Sequence, residues 1–180
     1  MLEAQRLWPY RPRLFATAFR YQYVISPTHE EIHSFSHHTC GQWNIYAGRG
    51  LPASLLQDAQ GRAVGVLLGI AVGPAGLLTG PQQRLPLDSS AADFWDRLEA
   101  FIAETAGRFA FIVESGGQTR LYTDPVGMIG AVYDPVSRRI AASPLMALDR
   151  PLVPNPKFSL DVIQNHGGKI SLFHTADKDV

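Results

Sequence analysis

Hydrophobic and polar positions change period several times along the chain. Phe15, Thr17, Phe19, Tyr21, Tyr23 and Ile25 recur at every second position with Arg20, Gln22 and Ser26 on the other side, which predicts a strand with one buried face, ended by Pro27. Trp43, Ile45 and Ala47 alternate with Gln42, Asn44 and Tyr46 and predict a second strand that stops at Gly48-Arg49-Gly50. Ala63 to Val72 is apolar on both faces, and such a strand belongs in a sheet covered above and below. From Ser90 to Ala106 the spacing becomes helical: Phe94, Trp95, Leu98, Phe101 and Ile102 share a face, Ser90-x-x-Asp93 offers a capping-box start, and Gly107 offers a stop.

Arg108 to Glu114 and Gln118 to Thr123 flank Ser115-Gly116-Gly117 and predict a hairpin. A loop from Asp124 to Gly130 leads to short strands at 131–133 and 139–143, with a turn at Asp134-Pro135 between them. At least six strands therefore accompany one principal helix. The aperiodic residues 1–13 predict a lead-in, the Pro-rich residues 151–157 a linker, and 158–166 a short helix stopped by Gly167. The expected organisation is one domain over 1–150, then a linker and the start of a following domain over 151–180.

Composition narrows the function. Of 180 residues 46% are apolar, enough for one ordinary domain with a core. Sixteen basic and sixteen acidic residues cancel, and without a basic stripe neither nucleic acid nor an anionic membrane is an expected partner. A lone cysteine, no secretory leader pattern, and an apolar run far short of the ~20 residues that span a bilayer predict a cytoplasmic protein.

The stretch His29-Glu30-Glu31-Ile32-His33 matches the zinc-protease pattern H-E-x-x-H, with His37, His38 and Cys40 close behind. That pattern works when both histidines lie one turn apart on a helix facing a cleft. Pro27 lies just before His29, and Ser34, Ser36 and Thr39 continue a helix poorly. The residues favour a solvated connection between two strands, with His29 and His33 as the candidate metal ligands. Cys40 is the candidate nucleophile, with His37 or His38 as base, against the reading of a small core residue. Gly65-x-x-x-Gly69 and Gly73-x-x-Gly76 lack the lysine and helix of a phosphate loop and are expected to be bulges and turns.

The second half carries a resemblance. Ala106-Gly-Arg-Phe-Ala-Phe-Ile-Val113, Leu121-Tyr-Thr-Asp-Pro-Val-Gly127, Ala131-Val-Tyr133 and Arg139-Ile-Ala-Ala-Ser143 resemble the class II glutamine amidotransferase pattern "DGxFAFxxxD…LxxARDxxGxxPLYY…xxASE". Among such domains it resembles the amidotransferase domain of asparagine synthetases. The resemblance covers residues 60–180; residues 1–60 match only in strand order. It implies an α+β fold, a four-layer αββα sandwich of two antiparallel sheets as in N-terminal-nucleophile hydrolases. It also implies a following synthetase-like domain as partner, with ATP and Mg used there and no cofactor in this part, and leaves self-association open.

In active members the nucleophile is a cysteine at the second encoded position, whose freed amine is its base; this chain reads Met1-Leu2-Glu3. Cys40-Gly41 imitates the Cys-Gly opening but needs cleavage after Thr39. Arg49-Gly50-Leu51-Pro52 imitates the substrate-carboxylate motif but follows Cys40 too closely. The Asn-Gly-Glu oxyanion motif aligns with Leu68-Gly69-Ile70, leaving Gly69 as the vestigial oxyanion position. The reading is a degenerate, non-catalytic amidotransferase-like domain, with Asp124 capping a turn and Gly127 in a glycine conformation. Two alternatives remain: an active glutaminase using Cys40 after processing, and a zinc protein through His29, His33 and a third histidine, with His37 or His38 able to coordinate from the loop.

Overall fold

The two-sided apolar run becomes the centre of the molecule. In the computed structural model, which describes residues 12–155, β5 (Ala63–Gly73) lies between β4 (Ala53–Gln57) and β8 (Ala106–Ser115). β9 (Gln118–Thr123) continues the sheet beyond β8 as the predicted hairpin, β7 (Gln82–Arg84) closes the other edge, and β6 (Gly76–Leu78) folds back on β5. The second sheet runs β10 (Val132–Asp134), β11 (Arg139–Ala141), β1 (Tyr23–Ser26), β3 (Trp43–Gly48), β2 (Phe35–Cys40). Among the described residues only the β4–β7 pair is parallel. The fold is mixed α+β, two mostly antiparallel sheets with few helices.

Alternation decides what each face covers. Tyr23, Ile25 and Ile45 from the five-stranded sheet meet Val66, Leu68, Ala110 and Ile112 from the six-stranded one in a shared core. On the other face of the larger sheet, Leu67, Phe109, Phe111 and Val113 receive Phe94, Leu98 and Ile102 of α2 (Phe94–Ala103). On the other face of the smaller sheet, Val24, Tyr46 and Ala141 receive Phe15 of α1 (Pro12–Ala18), Phe19 from the turn that follows it, and Met146 and Ala147 of α3 (Pro144–Ala147). Alternation along β5 sends Leu67 and Ala71 to one core and Val66 and Leu68 to the other, and a bulge at Val64, where the register shifts between Leu56 and Gln57, turns Val64 to the α2 side.

Four expectations need correction. The strand over 15–25 is α1 followed by the shorter β1. Phe15, Ala16 and Phe19 are buried at i, i+1 and i+4, a helical face, and positions 15, 19 and 23 satisfy both periods. The connection over 29–40 is in its second half a strand: β2 pairs with β3 from Phe35↔Gly48 to Cys40↔Trp43 around a two-residue turn, Gly41 taking φ +55°. An edge strand with exposed Ser36, His37 and Thr39 needs no apolar alternation, so its residues carry no strand period.

The predicted capping box is absent. Asp93 makes no side-chain cap bond, while the N–H and Oγ of Ser90 donate to Asp88 Oδ1. Gly107 is not the helix stop but lies in β8, where a Cβ would stand 2.3 Å from Ile70 O. Helix α2 instead ends with Thr105 Oγ1 donating to Phe101 O at 2.8 Å. The helix expected over 158–166, the last two residues of the expected linker and the start of the following domain lie outside the described residues.

Candidate functional site

The head of β1 is where the resemblance places a nucleophile. Gln22 stands there, one residue before the strand. Its N–H donates to Phe19 O at 3.0 Å and its carbonyl accepts from Gly48 N–H at 2.9 Å. Its amine is therefore an amide inside a continuous chain that runs back into α1. The Gln22 Oε1 is buried without a hydrogen-bond partner among the described residues. Next to it Tyr23 is fully buried and its hydroxyl donates to Gly130 O at 3.0 Å; burial pushes that phenol far above its ordinary range.

Gly69 is buried in β5 with φ +89° and pairs with Phe109. Its N–H donates to Pro52 O at 2.8 Å, so the donor an oxyanion would need is engaged. A Cβ here would stand 2.2 Å from Arg108 O and 2.8 Å from Ile129 Cδ1. Gly65, in the same strand, faces Ile112 O at 2.0 Å in the same sense. Both glycines serve backbone approach between β5 and β8, and neither belongs to a phosphate loop.

Cys40 ends β2 and is 4% exposed. Its Sγ lies 3.7 Å from Ile112 O and 4.0 Å from Val64 O, the thiol donating. Burial first, and the Glu114 carboxylate second, push the thiol up to about 12. Gly69 pairs three residues along β8 from Ile112, roughly 10 Å away at ~3.3 Å per residue. The structure does not bring Cys40 and Gly69 together. Nor does it give Cys40 a histidine: His37 bonds Asn44 and His38 bonds Ser36.

The loop Asp124-Pro125-Val126-Gly127 is held by its own carboxylate. Asp124 is 2% exposed and accepts the N–H groups of Val126 at 3.2 Å, Met128 at 3.0 Å and Ile129 at 3.1 Å. Although burial opposes the charge, these donors pull the carboxyl below its ordinary range. Gly127 takes φ +66°, as a turn closed by Asp124 requires.

His29 and His33 lie on an irregular loop before β2, with Ser34 at φ +65°. The helical geometry of a zinc protease is therefore not formed. With Glu30, Glu31, Phe35, His37 and Tyr46 they line an open cleft of about 410 Å³ on the outer face of the smaller sheet. The loop is anchored by Glu30: its N–H donates to Tyr46 Oη at 2.6 Å, and its Oε1 accepts from Ser26 Oγ at 2.8 Å and from the buried Arg139 Nε at 2.7 Å. Arg139 reaches Asp149 Oδ2 as well, at 3.1 Å. The loop and the end of the described chain thus share one buried cation. Among the described residues no three His, Cys, Asp or Glu side chains converge to hold a metal ion.

The sequence spacing pairs His29 with His33 and offers His37 or His38 only as a third ligand, whereas the β2–β3 pairing and Tyr46 bring His37 itself against His29. Nothing local announces that placement. No helix among the described residues is long and apolar enough to cross a membrane. No protein-family model, no curated protein and no solved structure matches the chain.

Proposed function

We propose that this is a non-catalytic amidotransferase-like domain, the N-terminal part of an asparagine synthetase-like, ATP-dependent amide-forming protein. The observation that carries the reading is the head of β1: Gln22 offers no sulfur or hydroxyl, and its nitrogen is acylated and hydrogen-bonded. A glutaminase of this lineage needs a nucleophile with a free amine at that place, and without one the reaction has no first step. The remaining replacements agree. Leu68 and Ile70 flank Gly69 where side-chain amide and carboxylate groups are needed, and Ala106 stands where the pattern has aspartate. Losing one oxyanion donor alone costs about 3–4 kcal/mol of transition-state stabilisation.

The two facing sheets with α2 on one outer face and α1 and α3 on the other support the finer architecture, a four-layer αββα sandwich of the N-terminal-nucleophile hydrolase kind. In this reading the domain acts in the cytoplasm as a scaffold for a following synthetase-like domain, which uses ATP and Mg. The Asp124 turn and the Gly69 crossing are then retained for shape rather than chemistry. Cleavage before Cys40 would remove α1 and β1 and expose an amine beside a buried thiol, so the processed glutaminase is disfavoured.

Two measurements test the proposal. The purified chain incubated with glutamine is expected to release no glutamate and to keep its full mass; glutamate release would overturn the non-catalytic reading. The reading frame downstream of Val180 is expected to encode a Ser-Gly-Gly-x-Asp-Ser pyrophosphate loop. Its absence would overturn the synthetase assignment.

A further inference from the structure

The cleft on the outer face of the smaller sheet holds an arrangement that the amidotransferase reading does not use. The rings of His29 and His37 lie edge to face with centroids 5.0 Å apart. His37 also stacks on Tyr46 at 4.9 Å and 17°. Each imidazole has one nitrogen committed to an outer partner: His29 Nδ1 to Tyr46 Oη at 3.3 Å, His37 Nε2 to Asn44 Oδ1 at 2.9 Å. The opposite nitrogens, His29 Nε2 and His37 Nδ1, remain for a ligand. Histidines that bind metals characteristically fix the second ring nitrogen in this way, which sets the tautomer and the ring orientation.

We infer that His29 and His37 form an open two-imidazole site for a divalent transition metal ion, such as Zn²⁺, in the cleft beside Tyr46. The spacing agrees: with Zn–N bonds of about 2.0 Å, two imidazoles sharing a tetrahedral ion have ring centres roughly 5 Å apart. The frame is stiff, because Glu30 ties the loop that carries His29 to Tyr46, Ser26 and Arg139, and β2 pairing holds His37. Glu31 lines the same cleft and adds negative charge. Two protein ligands leave the remaining positions to water or to an incoming donor, so the site is exchangeable, not a structural zinc knot. His33, the partner that the H-E-x-x-H spacing suggests, is not one of the two ligands, and His38 bonds Ser36 instead.

The test is a calorimetric Zn²⁺ titration of the untagged full-length chain at neutral pH, with imidazole resonances followed by NMR. One ion is expected to bind per chain and to shift His29 and His37 together. His29→Gln and His37→Gln are each expected to weaken binding at least tenfold, while His33→Gln, His38→Gln and the double variant His166→Gln/His174→Gln bind as the parent does. Asn44→Ala, which keeps both ligands and removes one outer partner, is expected to weaken binding about tenfold. Circular dichroism of each variant confirms that it is folded. No saturable binding by the parent, or undiminished binding by both His29→Gln and His37→Gln, would overturn the site.

Discussion

Gly69 and Arg108 approach so closely across the β5–β8 ladder that a Cβ on the glycine would stand 2.2 Å from the arginine carbonyl oxygen. The contact is backbone on backbone, and the glycine has φ +89°. Gly69→Ala is therefore expected to destabilise the fold by about 2 kcal/mol or more, through strain and a displaced strand. Urea denaturation measures it, and a loss below about 0.5 kcal/mol would contradict the packing.

Cys40 is expected to resist alkylation by iodoacetamide at pH 8 in the folded chain and to react at once in denaturant, because its thiol is buried and pushed up to about 12. The raised value has a consequence for stability. The protonated thiol is favoured in the folded state, so its contribution is complete below the unfolded value near 9 and is lost as pH rises toward 12. Stability should fall over that range, less steeply in Cys40→Ala. Rapid labelling of the native protein would contradict the burial.

Asp124 contributes in the opposite direction. Its carboxyl lies below the ordinary range, so its stabilisation is present above the unfolded value and is lost as pH falls through the folded one. Asp124→Ala leaves three backbone N–H groups without their acceptor and is expected to cost about 2–3 kcal/mol. Its penalty should shrink in strongly acidic solution. Equilibrium denaturation at neutral and acid pH checks both.

Arg139 is 6% exposed and joins Glu30 to Asp149. Arg139→Met removes the cation and leaves a largely buried carboxylate, at an expected cost of about 3–5 kcal/mol. Adding Glu30→Gln should restore part of the loss. Single variants whose effects simply add in a double-mutant cycle would show that the pair is not coupled.

Legibility followed the reach of each interaction. The run from Ala63 to Val72 was readable because a strand covered on both sides must be apolar on both sides, whatever its neighbours. The α2 face, the β8–β9 hairpin and the Asp124 turn were equally local, needing only periodicity or a side chain reaching its own backbone. β4, β6 and β7 are short and gain their identity from pairing with distant segments, so their residues gave no pattern. The side-by-side placement of His29 and His37 could not be read locally, because it needs the β2–β3 pairing.

The sequence by itself determined which segments are apolar enough to be buried and where glycine and proline interrupt them. Only the tertiary structure decided that 15–19 coils rather than extends, that a polar run becomes an edge strand, that Cys40 is enclosed, and that two histidines eight positions apart stand side by side. The reason is physical. Burial preference belongs to each residue, whereas helix against strand in an ambiguous pattern, and the meeting of remote side chains, depend on which surface the rest of the chain offers to pack against.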